Sequence, residues 1–67
     1  MGSVSARFGK KVVEVRKSKG LSQEALADRA GVDRSYLSRV ERGVMRVTLD
    51  KAVDISNALG YDLSELI

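Results

Sequence analysis

The segment 34–42 carries three arginines and two serines at spacings that place them on one side of a helix. At about 100° per residue, Arg34, Ser35, Ser38, Arg39 and Arg42 share one arc, and the apolar residues of the segment occupy the other. Arg presents paired N–H donors that match guanine O6 and N7, and Ser donates or accepts a hydrogen bond. A merely solvated face would mix Lys, Glu and Arg, so this composition favours contacts with a nucleic acid.

Apolar spacing and capping residues predict five helices, of which this segment is the third. The predicted helices cover residues 3–19, 23–30, 34–42, 49–59 and 63–67. Ser22, Asp33 and Thr48 are N-cap candidates, and a glycine follows each of the first four helices. No segment alternates with the period of two that marks a strand. The predicted fold class is therefore all-α.

The same spacing predicts which sides of the first and fourth helices face the core. For the first helix, the expected core residues are Val4, Phe8, Val12 and Val15. For the fourth helix, they are Leu49, Ala52, Val53, Ile55, Ser56 and Leu59. The second and third helices are short and are joined by a turn that contains Gly31, which is the pattern of a helix-turn-helix. Such a motif places one helix in the DNA major groove, which is about 12 Å wide.

Length and composition exclude several classes of protein. The 67 residues suffice for a single domain, 1–67, in which residues 1–3 are interpreted as a disordered or cloning-derived start. The absence of Cys and His, and of any phosphate-binding glycine motif, predicts no enzymatic activity, no metal and no cofactor. No apolar run reaches the length of a membrane span, which predicts a cytoplasmic protein without a membrane partner.

Charge is unevenly distributed along the chain. Residues 1–46 contain 11 of the 12 basic residues and five of the nine acidic ones, which gives +6. Residues 47–67 contain one base and four acids, which gives −3. This asymmetry predicts one basic surface, of the kind that binds nucleic acid, and one acidic or neutral end. Ordinary solvated surface charge is the alternative interpretation.

Residues 20–27 (GLSQEALA) and 30–43 (AGVDRSYLSRVERG) resemble the lambda-repressor/Cro-like helix-turn-helix domains. Residues 49–60 and 63–66 are similar to the fourth and fifth helices of that family, so the resemblance covers about residues 6–67. It implies a compact five-helix domain with the helix-turn-helix at helices 2–3. Within the family, the start of the third helix looks most like the small controller proteins of restriction–modification systems.

The resemblance also implies roles for individual residues. It implies base contacts from Arg34, Ser35, Ser38 and Arg39. It implies phosphate contacts from Ser22, Gln23, Arg42 and Arg46. It implies a structural pair between Arg16 and Glu41. Tyr36 packs in the core or contacts a phosphate through its hydroxyl, and residues 44–47 are more apolar than the family's usual loop.

The resemblance further implies a transcriptional regulator that binds a double-stranded, pseudo-palindromic DNA operator as a homodimer. The two recognition helices of such a dimer lie about 34 Å apart. The apolar end of the chain, residues 60–67 with Tyr61, Leu63, Leu66 and Ile67, is the expected dimer interface, to which Leu49 or Val53 would add. In the alternative interpretation, Leu63 and Leu66 cap the core of the monomer. RNA polymerase is a further partner that this mechanism allows. Two alternatives remain: an antitoxin-type or other protein-interaction module, and the detached DNA-binding domain of a larger regulator.

Overall fold

The computed structural model describes residues 3–67, which form four α-helices and one short 3₁₀ helix. The α-helices are α1 (Val4–Ser18), α2 (Gln23–Ala30), α3 (Arg34–Arg42) and α4 (Leu49–Ala58), and the 3₁₀ helix is Leu63–Glu65. The all-α prediction is confirmed for this part of the chain. None of these helices combines the length and the apolar character needed to cross a membrane.

The prediction for residues 1–3 falls mostly outside the described residues. Met1 and Gly2 are not described, whereas Ser3 is the N-cap of α1, and its Oγ accepts a hydrogen bond from the Ala6 N–H at 3.1 Å. Ser3 therefore belongs to the folded domain.

Local capping chemistry sets the boundaries of α2 and α4. The Ser22 Oγ accepts from the Ala25 N–H at 3.0 Å, and the Thr48 Oγ1 accepts from the Lys51 N–H at 3.3 Å. Each bond satisfies a backbone donor that the first turn leaves without a partner. At the other end of α2, Gly31 adopts φ 70°, a left-handed conformation that costs glycine little, and the chain turns there into α3.

The predicted count of five helices is not confirmed, because the segment after Asp62 forms a single 3₁₀ turn in place of a fifth α-helix. Its hydrogen bonds run from the Glu65 N–H to the Asp62 carbonyl and from the Leu66 N–H to the Leu63 carbonyl, both at 2.9 Å. So short a segment cannot offset the cost of starting an α-helix, and tight i to i+3 turns are common at such ends. Residues three apart superpose on a 3₁₀ helix, which brings Leu63 and Leu66 to the same side.

A single hydrophobic core lies between the helices. The largest fully buried apolar side chains are Phe8, Val12, Leu26, Leu37, Val40, Ile55, Leu59 and Leu66. Three residues predicted for the core are exposed instead: Val4 at 61%, Leu49 at 71% and Val53 at 38%. In α4 the buried arc is centred on Ala52, Ile55, Ser56 and Leu59. Leu49 and Val53 lie at the edge of this arc.

Helices α1 and α3 approach closely at Gly9. A Cβ atom at this buried position would lie 2.0 Å from the Val40 carbonyl oxygen, well inside van der Waals contact. Only glycine permits this approach of the two backbones, and the contact positions α3 directly on α1.

Candidate nucleic-acid interface

Helix α3 presents a polar side to solvent and an apolar side to the core. Leu37 and Val40 are buried, whereas Arg34, Ser35 and Arg39 are exposed. Ser38, the fourth residue predicted to contact bases, is half-buried on the polar side. The structure thus brings the predicted base-reading residues together on one helix surface, with three of them freely accessible.

A shallow groove lies between this surface and the start of α2. It has a volume of about 250 Å³ and is lined by Gln23, Arg34, Ser35 and Ser38. Every lining side chain can form hydrogen bonds, and none is acidic, so the groove is suited to an anionic or a polar partner. Gln23 belongs to α2, and the groove therefore joins the two helices of the helix-turn-helix into one surface.

A buried carboxylate holds α1, α2 and α3 together behind this groove. The Glu41 side chain is 4% exposed and accepts from Arg16 Nε at 2.7 Å and from Arg16 Nη2 at 3.1 Å. Gln23 Nε2 donates to Glu41 Oε1 at 2.8 Å. Arg16 Nη1 also donates to the Leu21 carbonyl at 2.9 Å, which fixes the turn before α2. The charge of Glu41 is thus compensated inside the domain.

This network locates the predicted structural pair and changes the expectation for Gln23. The Arg16 guanidinium donates to both carboxylate oxygens of Glu41, and such bidentate pairs are among the strong hydrogen-bonded contacts of proteins. One N–H of the Gln23 amide donates to Glu41. Only its second N–H is therefore left to donate to a phosphate. The sequence contained no local signal for this bond.

The remaining predicted phosphate contacts lie around the same surface. Ser22 is exposed, and since its oxygen accepts the cap hydrogen bond, its hydroxyl hydrogen is left to donate. Arg42 is exposed, and its Nε donates weakly to the Ser38 carbonyl at 3.4 Å. Arg46 is exposed in the loop that follows α3.

The loop 44–47 divides its apolar residues between the core and solvent. Val47 packs against the core, and its N–H donates to Ser5 Oγ at 3.1 Å, which ties the loop to α1. Val44 is 61% exposed. Of the apolar residues that distinguish this loop, Val47 therefore has a structural role. Arg46, which lies between Val44 and Val47 in the sequence, is exposed.

The Tyr36 side chain packs against the core, and its hydroxyl is buried without a hydrogen-bond partner within residues 3–67. This placement favours the core-packing interpretation, because the hydroxyl does not face solvent where a phosphate would lie.

The residues predicted for the dimer interface do not form one exposed patch. Leu66 is 1% exposed and belongs to the core, which favours the alternative that it caps the monomer over a place in the dimer interface. The Tyr61 ring lies under the Lys19 ammonium, 5.7 Å from the ring centre, at the end of α1. Leu63 is half-buried, and Ile67 is 52% exposed near the start of α1. Only Ile67 offers a large accessible apolar surface.

Within residues 3–67, no group of three or more acidic side chains is placed to hold a metal ion.

Comparisons with known proteins agree with this geometry. The family model described as helix-turn-helix matches residues 12–66. The control protein C.MunI of Mycoplasma sp is 43% identical over 67 residues, and the alignment covers 98% of this chain and 90% of C.MunI.

Two solved structures are similar over most of the chain. The restriction-modification controller protein C.AhdI from Aeromonas hydrophila superposes with a TM-score of 0.89 at 43% identity, covering 94% of this chain and 96% of C.AhdI. SinR, the master regulator for biofilm formation, crystallised in complex with DNA, has a TM-score of 0.82 at 33% identity. That match covers 88% of this chain and 95% of the SinR chain.

Proposed function

The chain belongs to the helix-turn-helix family, and from this premise we propose that it regulates transcription by binding double-stranded DNA. The observation that carries the proposal is the exposed polar side of α3, where Arg34, Ser35 and Arg39 are accessible while Leu37 and Val40 anchor the helix. A single α-helix fits the major groove, where Arg and Ser can hydrogen bond to base edges.

The proposed contacts divide into two classes. Bases are read by Arg34, Ser35, Ser38 and Arg39. Phosphates are bound by Ser22, Gln23, Arg42 and Arg46. Phosphate contacts set the register of the protein on the duplex, whereas base contacts carry sequence information. The Arg16–Glu41–Gln23 network supports both classes, because it fixes α2 and α3 relative to one another.

The proposed binding unit is a homodimer on a pseudo-palindromic operator. The domain measures 29 × 23 × 21 Å, and successive major-groove sites on one face of DNA are about 34 Å apart. One domain therefore reaches one half-site, and two domains are needed to occupy both. Transcription would then change through occlusion of the promoter or through contact with RNA polymerase.

The finer proposal is that the protein is the controller of a restriction–modification system. Its support is that C.MunI is named a control protein and that C.AhdI is a restriction-modification controller protein, each at 43% identity. Neighbouring genes for an endonuclease and a methyltransferase are the expected finding. Their absence would remove this finer proposal and leave the DNA-binding one.

Selection of bound duplexes from a random pool, followed by fluorescence anisotropy on the selected site and on random DNA, tests the DNA-binding proposal. Arg34→Ala and Arg39→Ala should each lose about 1–3 kcal/mol on the selected site, with little loss on random DNA. Arg46→Ala should weaken both alike and reduce the salt slope by about one. Arg29→Ala, an exposed arginine in the last turn of α2, is the matched control.

Equal losses on selected and random DNA for Arg34→Ala would refute base reading at that position. No salt-dependent binding to any duplex would instead favour the protein-interaction module, because contacts to phosphates make affinity depend on salt.

A further inference from the structure

A groove on the outer side of α1 carries positive charge that forms no ion pair within residues 3–67. It has a volume of about 290 Å³ and is lined by Arg7, Lys10, Lys11, Glu14, Leu66 and Ile67. The three basic side chains are exposed, and we name them the basic edge. In this part of the chain the observed ion pair joins Arg16 to Glu41 and includes none of them.

The basic edge faces away from the proposed DNA surface. Helix α3 meets α1 at Val40, which is buried on the side of α3 opposite the exposed arginines, and Gly9 is the residue of α1 at this contact. At about 100° per residue, Arg7 and Lys11 lie about 160° from Gly9. The whole domain, with a smallest extent of 21 Å, therefore separates the basic edge from a duplex bound along α3.

The side chains around this groove suit a polyanion better than a protein. Leu66 is 1% exposed, so Ile67 is the one lining residue that offers a partner a large apolar surface. Protein interfaces depend on buried aromatic or apolar anchors, whereas phosphates require only accessible cations. The phosphate backbone of DNA is the polyanion that a DNA-bound protein meets at the highest local concentration.

We propose that the basic edge binds the phosphate backbone of a second DNA duplex while α3 occupies the operator. The inference rests on the proposed binding of the operator by α3 and adds a second, sequence-independent contact on the opposite side of the domain. One chain would then bridge two segments of DNA. A weak contact suffices for this, because a second segment of the same DNA molecule is present at a high effective concentration.

Capture of a second duplex by the operator complex tests the proposal. The selected operator is immobilised at high density in excess over the protein, so that the α3 surfaces are occupied. A long, fluorescent duplex without the operator is then added at 50 mM and at 200 mM salt. Three phosphate contacts per engaged domain predict a salt slope of about −2.7, and capture should fall by about 40-fold or more between the two concentrations.

Neutral variants identify the surface that makes the capture. Lys10→Gln with Lys11→Gln should lower capture at 50 mM salt by about tenfold or more, whereas Lys10→Arg with Lys11→Arg should retain it. The matched control is Arg29→Glu, which changes the net charge by the same two units at an exposed position of α2 and should leave capture unchanged. All of these variants should bind the operator, in fluorescence anisotropy, about as tightly as the original chain.

Glu14 provides a variant with the opposite sign. Its exposed carboxylate lies in the groove beside the basic edge and repels a phosphate there. Glu14→Gln should therefore strengthen capture by about twofold or more, on the scale of an exposed charge–charge contact. A loss of folding cannot imitate this gain, and an unchanged or weaker capture would contradict the proposal.

The outcomes separate this inference from the proposed function. If the operator binds but captures no second duplex at 50 mM salt, the inference fails and operator recognition stands. Capture that Lys10→Gln with Lys11→Gln leaves intact places the second duplex elsewhere and also overturns it. Binding of poly-glutamate at the basic edge without capture of DNA would assign the surface to an acidic protein instead. If no operator can be selected, the proposed function and the inference fail together.

Discussion

Replacement of Arg16 by Met is expected to destabilise the domain severely. The change removes both hydrogen bonds of Arg16 to Glu41 and leaves a carboxylate that is 4% exposed with Gln23 as its remaining partner. Removing one member of a buried ion pair typically costs about 3–5 kcal/mol. A chain of 67 residues has a total stability of about 3–10 kcal/mol, so the loss is a large share of the whole.

The matched double variant, Arg16→Met with Glu41→Leu, should recover much of this stability. It removes both charges together, and buried pairs replaced by apolar residues of similar volume are often neutral or better. The Leu21 carbonyl still loses its donor, which costs about 1–3 kcal/mol. We therefore expect the double variant to lie between the original chain and Arg16→Met.

Thermal unfolding followed by circular dichroism measures both effects. For a domain of this size, 1 kcal/mol corresponds to about 4–8 °C, so Arg16→Met should lower the melting temperature by more than about 12 °C. A double variant as unstable as Arg16→Met, or less stable, would show that uncompensated charge is not the cause. The reasoning about Glu41 would then be refuted.

Two further changes test the packing around α3. Gly9→Ala should destabilise by about 1–3 kcal/mol in thermal unfolding, because the new Cβ meets a backbone carbonyl and overpacking outweighs the better helix propensity of Ala. Its control is Gly20→Ala, where φ is 69° but the new Cβ would meet no atom beyond its chain neighbours within 4 Å, with an expected cost of about 1 kcal/mol. Tyr36→Phe should leave stability unchanged or raise it by about 1 kcal/mol, since the buried hydroxyl has no partner. In urea titration, a loss above about 1 kcal/mol would indicate a hydrogen bond that the structure does not contain.

Helix boundaries were predictable because they depend on residues near one another in the chain. Ser22 and Thr48 cap their own helices, and Gly31 makes the turn between α2 and α3 without help from distant residues. The division of α3 into polar and apolar sides follows from spacing alone, and the structure reproduces it.

The end of the chain was predicted less well because its structure depends on packing. The segment Leu63–Glu65 is too short to reveal whether it forms an α or a 3₁₀ turn, and the i to i+3 turn is what brings Leu66 to the core side. The exposure of Leu49 likewise depends on where neighbouring elements end. Apolar spacing identifies which side of a helix faces the core, but it does not show how much of that side the neighbouring elements bury.

Around the candidate site, the resemblance identified the residues involved but not all of the hydrogen bonds between them. It pointed to Arg16 with Glu41, and the structure contains that pair. It did not point to the bond from Gln23 to Glu41, nor to the approach of α3 at Gly9, although an isolated glycine within a helical pattern is itself a sign of close packing.

The exposure of Arg34, Ser35 and Arg39 has a consequence for the evolution of binding preference. These side chains contribute little to the core, whereas the orientation of α3 is set by Gly9 and the buried Arg16–Glu41 pair. Changes at the three surface positions can therefore accumulate at small cost in folding. Related chains could acquire new operators by exchanging these residues on an unaltered scaffold, and a designer could retarget the domain in the same way.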